Sequence, residues 1–369
     1  MRNNFFGLSI YVFFMVFLAA GISGCGKIAG TDSNSEETGS EQQTPDSQNG
    51  NDKQTPGTSG TGSVQTTAVV NTTWYVSSNG NDSAAGDSAS NPLATVQVAL
   101  NKISALYRGG KWPANENAVI IVSGKITASS RAAVSNDSMV DISGAGNYPP
   151  VILKGDPVKG GILDAASGVN GKDIRVLYIA NNKVTLGDKL ILMGGRRLWG
   201  GAVCIGTHGS VSEGEFIMAG GEISGSSGGS GGGVMLYKGS MSMLGGEIKN
   251  NSNDFNHNGG DGGGVYMQSA TYFIMSGGKI SGNGSAETAK GGGLFIDGQA
   301  LALLTGGEIT GNKSNTQGGG VYISPLGEFD MNGGTISGNV SGDGGGVYKS
   351  QYNGIFNQSG GIVSGNTPN

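Results

Sequence analysis

From about residue 74 the chain alternates apolar and polar side chains in short runs, and from residue 200 the alternation becomes periodic. Runs such as Val321-Tyr322-Ile323, Phe329-Asp330-Met331 and Thr335-Ile336-Ser337 each place their apolar side chains on one face, the pattern of strands buried on a single side. Glycine punctuates them. A Gly-Gly-(Gly/Ala)-apolar motif opens at Gly200, Gly231, Gly262, Gly291, Gly318 and Gly344, in steps of 31, 31, 29, 27 and 26 residues. A second motif, Gly-Gly-x-(Ile/Val), opens between them at Gly220, Gly245, Gly277, Gly306, Gly333 and Gly360.

One unit therefore reads as glycine triplet, strand, short turn, strand, glycine pair, strand and polar loop. Three short strands per unit predict one coil of a single-stranded right-handed parallel β-helix, an all-β solenoid. The alternation sends inward Val203, Val234, Val265, Leu294, Val321 and Val347 from the first strand, Phe216, Met241, Phe273, Phe329 and Phe356 from the second, and Ile223, Ile248, Ile280, Ile309, Ile336 and Val363 from the third. Like side chains then stack at about 4.8 Å per coil. Lys349 falls on an inward position of the last unit, where an ammonium needs an open end. Asn251, Asn283, Asn312, Asn339 and Asn366 recur after the third strand and are expected to form an asparagine ladder, their amides bonding from coil to coil.

Ahead of the repeat, β-rich runs at Val119–Val122, Val151–Leu153 and Ile162–Leu163 lack a period and read as irregular first coils. Before them Trp74-Tyr75-Val76-Ser77 reads as a strand, and Leu93, Val96, Ala99, Leu100, Ile103 and Leu106 have helical spacing, with Asn91 as expected N-cap and Pro92 as first helical residue. This strand, polar loop and Asn-Pro-Leu-Ala-Thr-Val-Gln-Val-Ala-Leu helix resembles the N-terminal cap of pectate-lyase-like parallel β-helix proteins. The repeats also resemble those of polymorphic outer-membrane protein and autotransporter adhesin passengers. The division expected is residues 72–110 for the cap and 111–369 for the β-helix, irregular to about 175.

The first residues have a different character. Arg2 is followed by an uncharged, mostly apolar run from Phe5 to Ala20, which is about 16 residues where a spanning helix needs roughly 20, and then by Ile22-Ser23-Gly24-Cys25. Residues 1–24 read as an export signal. The closing four residues resemble a bacterial lipobox, which implies a lipidated Cys25 as mature N-terminus, and Gly26 rather than Asp after it implies an outer-membrane or cell-surface location. Acyl chains anchor at roughly 0.8 kcal/mol per buried methylene. Residues 25–71 are Ser, Thr, Gly, Gln and Asn-rich and read as a tether reaching roughly 35 to 40 Å.

Composition narrows the function classes. Of 369 residues 72 are Gly, and 49 of those lie between Gly194 and Gly365, so the excess belongs to the repeat. Net charge is −5 with no basic stripe, which excludes nucleic acid as the expected partner. With Cys25 lipidated, Cys204 has no disulfide partner and is expected to be an inert packing residue. No cofactor is expected: the G-x-G-x-x-G matches in so glycine-rich a chain precede no helix.

Candidate chemistry lies on the outward face. The first-strand outward column runs Tyr178, Cys204, Met235, Tyr266, Phe295, Tyr322 and Tyr348 and holds no carboxylate. Tyr178, Tyr266, Phe295, Tyr322 and Tyr348 are candidate binding residues, because aromatic faces in a row can receive sugar rings or a protein partner; equally, they can stack on one another and stiffen the sheet. Glu222 and Glu247, at one outward place of the third strand with Lys279 and Glu308 next, are the only carboxylates from adjacent coils suited to glycoside hydrolysis, or else a solvated charge ladder. Loops after the third strand (Ser227 to Ser230, Ser252 to Asp261, Gly284 to Lys290, Lys313 to Gln317, Val340 to Asp343) form a hump, and the longest holds Asp254, His257 and Asp261 as candidate cation ligands.

Three functions compete: a non-catalytic, membrane-anchored surface protein binding glycans or surface proteins; a polysaccharide lyase or hydrolase, which the fold resemblance alone implies; and a structural spacer or self-assembling module.

Overall fold

The computed structural model describes residues 70–128, 137–166, 172–254, 260–284 and 289–368. They form an all-β, right-handed parallel β-solenoid of about 8 turns. The first-strand sheet contains Ser138–Ile142, Arg175–Ile179, Val203–Ile205, Val234–Leu236, Val265–Met267, Leu294–Ile296, Val321–Ile323 and Val347–Lys349, each parallel to the next. Second and third strands stack likewise, with Phe216 beside Met241, Met241 beside Phe273, and Ile223 beside Ile248. The inward columns are fully buried through Ile336. In the last coil the polar Lys349 and Gln358 occupy core columns, paired with Ile323 and Met331, and both are exposed.

In the triplet Gly262-Gly263-Gly264 each glycine is needed for a separate reason. Gly262 has φ +72°, and a Cβ there would lie 2.6 Å from the Val265 carbonyl and 3.0 Å from Tyr266 Cβ. A Cβ on Gly263 would sit 2.1 Å from the Gly284 carbonyl oxygen and 2.7 Å from that of Gly292, in the next coil. On Gly264 it would meet the Gly293 carbonyl at 2.5 Å and the Asn283 amide nitrogen at 3.0 Å. The triplets thus stack backbone on backbone, bonded from coil to coil (Gly263 N–H to Gly291 O, 3.1 Å; Gly264 N–H to Gly292 O, 3.0 Å), with the asparagine ladder against their third member.

The irregular coils begin with β1 (Thr73–Ser77), which is the first rung of the second sheet, parallel to Val119–Ser123. The helix α1 spans Val96–Arg108. It starts later than the expected Asn91-Pro92, because Leu93 is captured by β1: its N–H donates to Tyr75 O (2.9 Å) and its carbonyl accepts from Ser77 N–H (2.8 Å), which keeps that backbone extended. Thr95 is the N-cap, its Oγ1 accepting from Val98 N–H, while Asp82 accepts from the Ala94 and Thr95 N–H groups. Val96, Ala99, Leu100 and Ile103 are buried and join the same core as β1 and β2 (Ala118–Thr127). β2 bends at Gly124 and serves two faces of its coil, pairing through residues 118–122 with Val151–Gly155 and through 124–127 with Gly161–Asp164.

Ser227–Ser230, expected to be loop, is a strand parallel to Arg196–Trp199. Its corner continues as single bridges, Ser227 to Ser252, Ser252 to Gly284, Gly284 to Lys313, Lys313 to Val340 and Val340 to Thr367. Stacking in register turns even Ser-Gly-Gly-Ser into a strand, since each backbone group meets its equivalent one coil away.

Candidate functional site

The aromatic column stacks on itself. Tyr266, Phe295, Tyr322 and Tyr348 pair in register, with ring centroids 4.9, 4.8 and 5.2 Å apart and planes within 13° of parallel. That spacing equals the rise of one coil, so each ring fills the gap above its neighbour and no ligand-sized space is left between faces. Of the two readings of this column, the geometry has the stacked arrangement, and the rings are largely covered: Tyr178, Phe295 and Tyr322 are 8, 5 and 6 % exposed, and Tyr266 and Tyr348 are half-buried.

Polar groups hold the ring edges. Tyr266 Oη donates to Asp297 Oδ2 (3.0 Å), and burial, followed by that carboxylate, pushes the Tyr266 phenol well above its ordinary range. Lys290 Nζ lies 4.9 Å from the centre of the Tyr322 ring and donates to its hydroxyl at 3.4 Å. Toward the early coils the outward residues form a second apolar cluster of Tyr178, Ala180, Cys204, Met235 and Tyr237, against which Tyr266 packs. Trp199 and His208 meet the Tyr237 ring edge-on at 6.0 and 5.2 Å. Burial pushes the Cys204 thiol up, away from thiolate chemistry, and its Sγ faces Gly206 O.

The column also begins earlier than its sequence spacing indicated. Asp141 pairs with Tyr178, so the outward row starts on a buried carboxylate, and the Arg175 guanidinium lies 5.4 Å from the centre of the Tyr178 ring. The signal was Ser138-Met139-Val140-Asp141-Ile142, a short mostly apolar run with no glycine triplet before it.

The asparagines form one continuous buried row. Asn283 Nδ2 donates to Ile248 O in the preceding coil (2.9 Å) and to Asn312 Oδ1 in the next (3.0 Å), and Asn312 Oδ1 also accepts the Asn283 backbone N–H (3.0 Å). Asn251, Asn312 and Asn339 repeat this arrangement, and Asn366 ends the row by donating to Ile336 O. Ser226 occupies the next place: its backbone N–H donates to Asn251 Oδ1, and its hydroxyl accepts from Gly195 N–H. Where the ladder residue is the shorter Ser226, the third triplet position is Ala202 rather than glycine.

Of the acid–base candidates, Glu222 and Glu247 do stack in register. Lys249 bridges both, at 2.9 and 3.1 Å. Partial burial pushes the Glu247 carboxyl up, but hydrogen bonds from Ser281 and Lys249 outweigh it and hold the group below its ordinary range. Lys279 pairs with Glu308 at 3.5 Å. Asp261 accepts from Lys290 N–H, Asp254 is exposed with its carbonyl accepting from Ser227, and His257 lies outside the described residues, as does Cys25. Among the described residues no group of three or more His, Cys, Asp or Glu could hold a metal ion.

A concave surface lies on a face that the sequence reading passed over. The turns joining first to second strands vary in length: residues 206–213 form a long one, and residues 237–238, one coil on, a very short one. The step leaves a groove of about 430 Å³ between Asn182, Lys183, Glu213 and Glu215 on one side and Ala270 and Tyr272 on the other, floored by Gly239 and Ser240. Comparison of the chain with family models, curated proteins and solved structures finds no match, so its function is argued from its own residues.

Proposed function

We propose that this chain is a non-catalytic, lipid-anchored bacterial surface protein, whose β-helix displays turns and loops to glycans or surface proteins at the end of a tether. The Ile22-Ser23-Gly24-Cys25 site and the polar segment after it support export and anchoring. The solenoid supplies a rigid scaffold, and function on such scaffolds resides in the connections, where sequence varies without disturbing the core.

The single observation favouring display over hydrolysis is the state of the stacked carboxylate pair Glu222 and Glu247. A glycosidase acid must stay protonated near neutral pH, which requires a raised pKa. Glu222 and Glu247 are instead both bonded to Lys249, and Glu247 is held low. The aromatic column acts on this reading as a stiffening spine.

Metabolic labelling of the full chain with palmitate tests the anchor. The wild type takes up label, fractionates with membranes and is degraded when protease is added to intact cells. Cys25→Ala loses the label and appears in the soluble fraction. A wild type that is unlabelled, or sheltered from protease in intact cells, refutes the reading.

A further inference from the structure

We propose that the groove over Ser240 is a binding site for one neutral sugar residue of a glycan, received on the Tyr272 ring. The inference rests on the surface-display reading above and gives it a site and a ligand class.

Along this face the second strands set their outward residues in register: Lys183 beside Glu215, Glu215 beside Ser240, Ser240 beside Tyr272. Consecutive members are one coil, about 4.8 Å, apart. In the column on the neighbouring face each step from Tyr266 to Tyr348 is filled by the next ring. Beside Tyr272 the step is filled only by Ser240, preceded by Gly239, so a slot one coil thick opens there. The Tyr272 side chain lines it and is 36 % exposed. A pyranose ring lying flat on a tyrosine occupies about that thickness, so the ligand takes the place of the missing side chain. Tyr and a sugar face match because the apolar C–H side of the ring covers the aromatic surface at little cost in entropy.

The polar wall selects among sugars. Lys183 is paired with Glu215 at 2.8 Å, and Glu213 adds a second carboxylate, so the lining carries one cation against two anions. Those carboxylates and the Ser240 hydroxyl suit the hydroxyls of an uncharged ring and repel a uronate. The volume of about 430 Å³ lies in the range of small-ligand sites. Gly239 is required for the floor, since its φ is +103° and a Cβ would lie 2.0 Å from the Gly214 carbonyl oxygen.

Titration of the full-length Cys25→Ala chain with laminarihexaose, mannohexaose and N-acetylchitohexaose, and with hexagalacturonate as anionic comparator, tests the site by calorimetry. At least one neutral oligosaccharide binds, and hexagalacturonate does not. Tyr272→Ala weakens that binding at least tenfold. Ser240→Phe, which fills the slot with a ring stacked on Tyr272 and keeps the fold, weakens it as much, while Tyr352→Ala, at an exposed tyrosine of the last coil, leaves it unchanged. Two results overturn the proposal: binding of none of the neutral oligosaccharides, or binding that survives both groove substitutions. Neither touches the anchoring reading, which stands or falls on the palmitate and protease experiment.

Discussion

Replacing Asn312 by Ala tests the claim that the buried asparagine row, and not propensity, holds the third corner. The side chain takes part in four hydrogen bonds: Nδ2 to Ile280 O and to Asn339 Oδ1, and Oδ1 from the Asn283 backbone and side-chain N–H groups. Alanine leaves the Asn283 backbone N–H and one Asn283 amide hydrogen without partners, both in a site from which water is excluded, while the Ile280 carbonyl keeps only its bond within the sheet ladder. At about 1–2 kcal/mol for each orphaned buried group the loss is roughly 2 to 4 kcal/mol, a sizeable share of the ~5–15 kcal/mol that holds a domain folded. Because each coil touches only its neighbours, the loss concentrates on the coils of Asn283 and Asn339 rather than spreading along the solenoid. Hydrogen exchange followed by mass spectrometry reads this directly. At 1.4 kcal/mol per decade, the Asn283 amide and its neighbours exchange at least about 25-fold faster, while amides of residues 151–186 keep their wild-type rates. Acceleration of less than about threefold at Asn283 refutes the reasoning.

The glycine and charge assignments give further expectations. Gly263→Ala forces a Cβ to within 2.1 Å of the Gly284 backbone oxygen and costs at least the ~1–3 kcal/mol of ordinary overpacking, whereas Gly284→Ala meets nothing within 4 Å and stabilises by about 0.4–1 kcal/mol; thermal melts of the two variants move in opposite directions. Glu247, held below its unfolded value of 4.5, contributes stability that is fully present above that pH and is lost as pH falls through the folded value. Lys249→Met removes one source of that shift and leaves two stacked carboxylates facing each other, so urea midpoints measured from pH 6 to pH 3 fall less steeply with acid than in the wild type, and start lower.

How far the molecule could be read in advance depends on where a residue's environment repeats. From Gly200 on, every coil meets a copy of itself, so an apolar side chain at one place implies its neighbours above and below, and the buried columns and the asparagine row follow from spacing alone. The early coils lack that redundancy. The strand carrying Asp141 has no glycine triplet before it, the two-faced β2 hides its bend at Gly124 inside one apolar run, and the start of α1 depended on Leu93 pairing with β1, a contact between segments that local propensity does not describe.

The sequence by itself determined the coil, its three strands, its inward face and the corners that only glycine can turn, because these follow from alternation and period, which are local properties. Tertiary structure alone decided which parts of the outward face are open. Tyr266, Phe295 and Tyr322 point outward as their positions require, yet their ring faces are covered, because each stacks on the next at one coil's rise. Tyr272, unremarkable in the chain, lines an open groove, because the residue one coil before it is a serine and the turn beside that serine is short while the turn before it is long. Exposure on a solenoid is a difference between neighbouring coils, and that difference exists only once the coils are stacked.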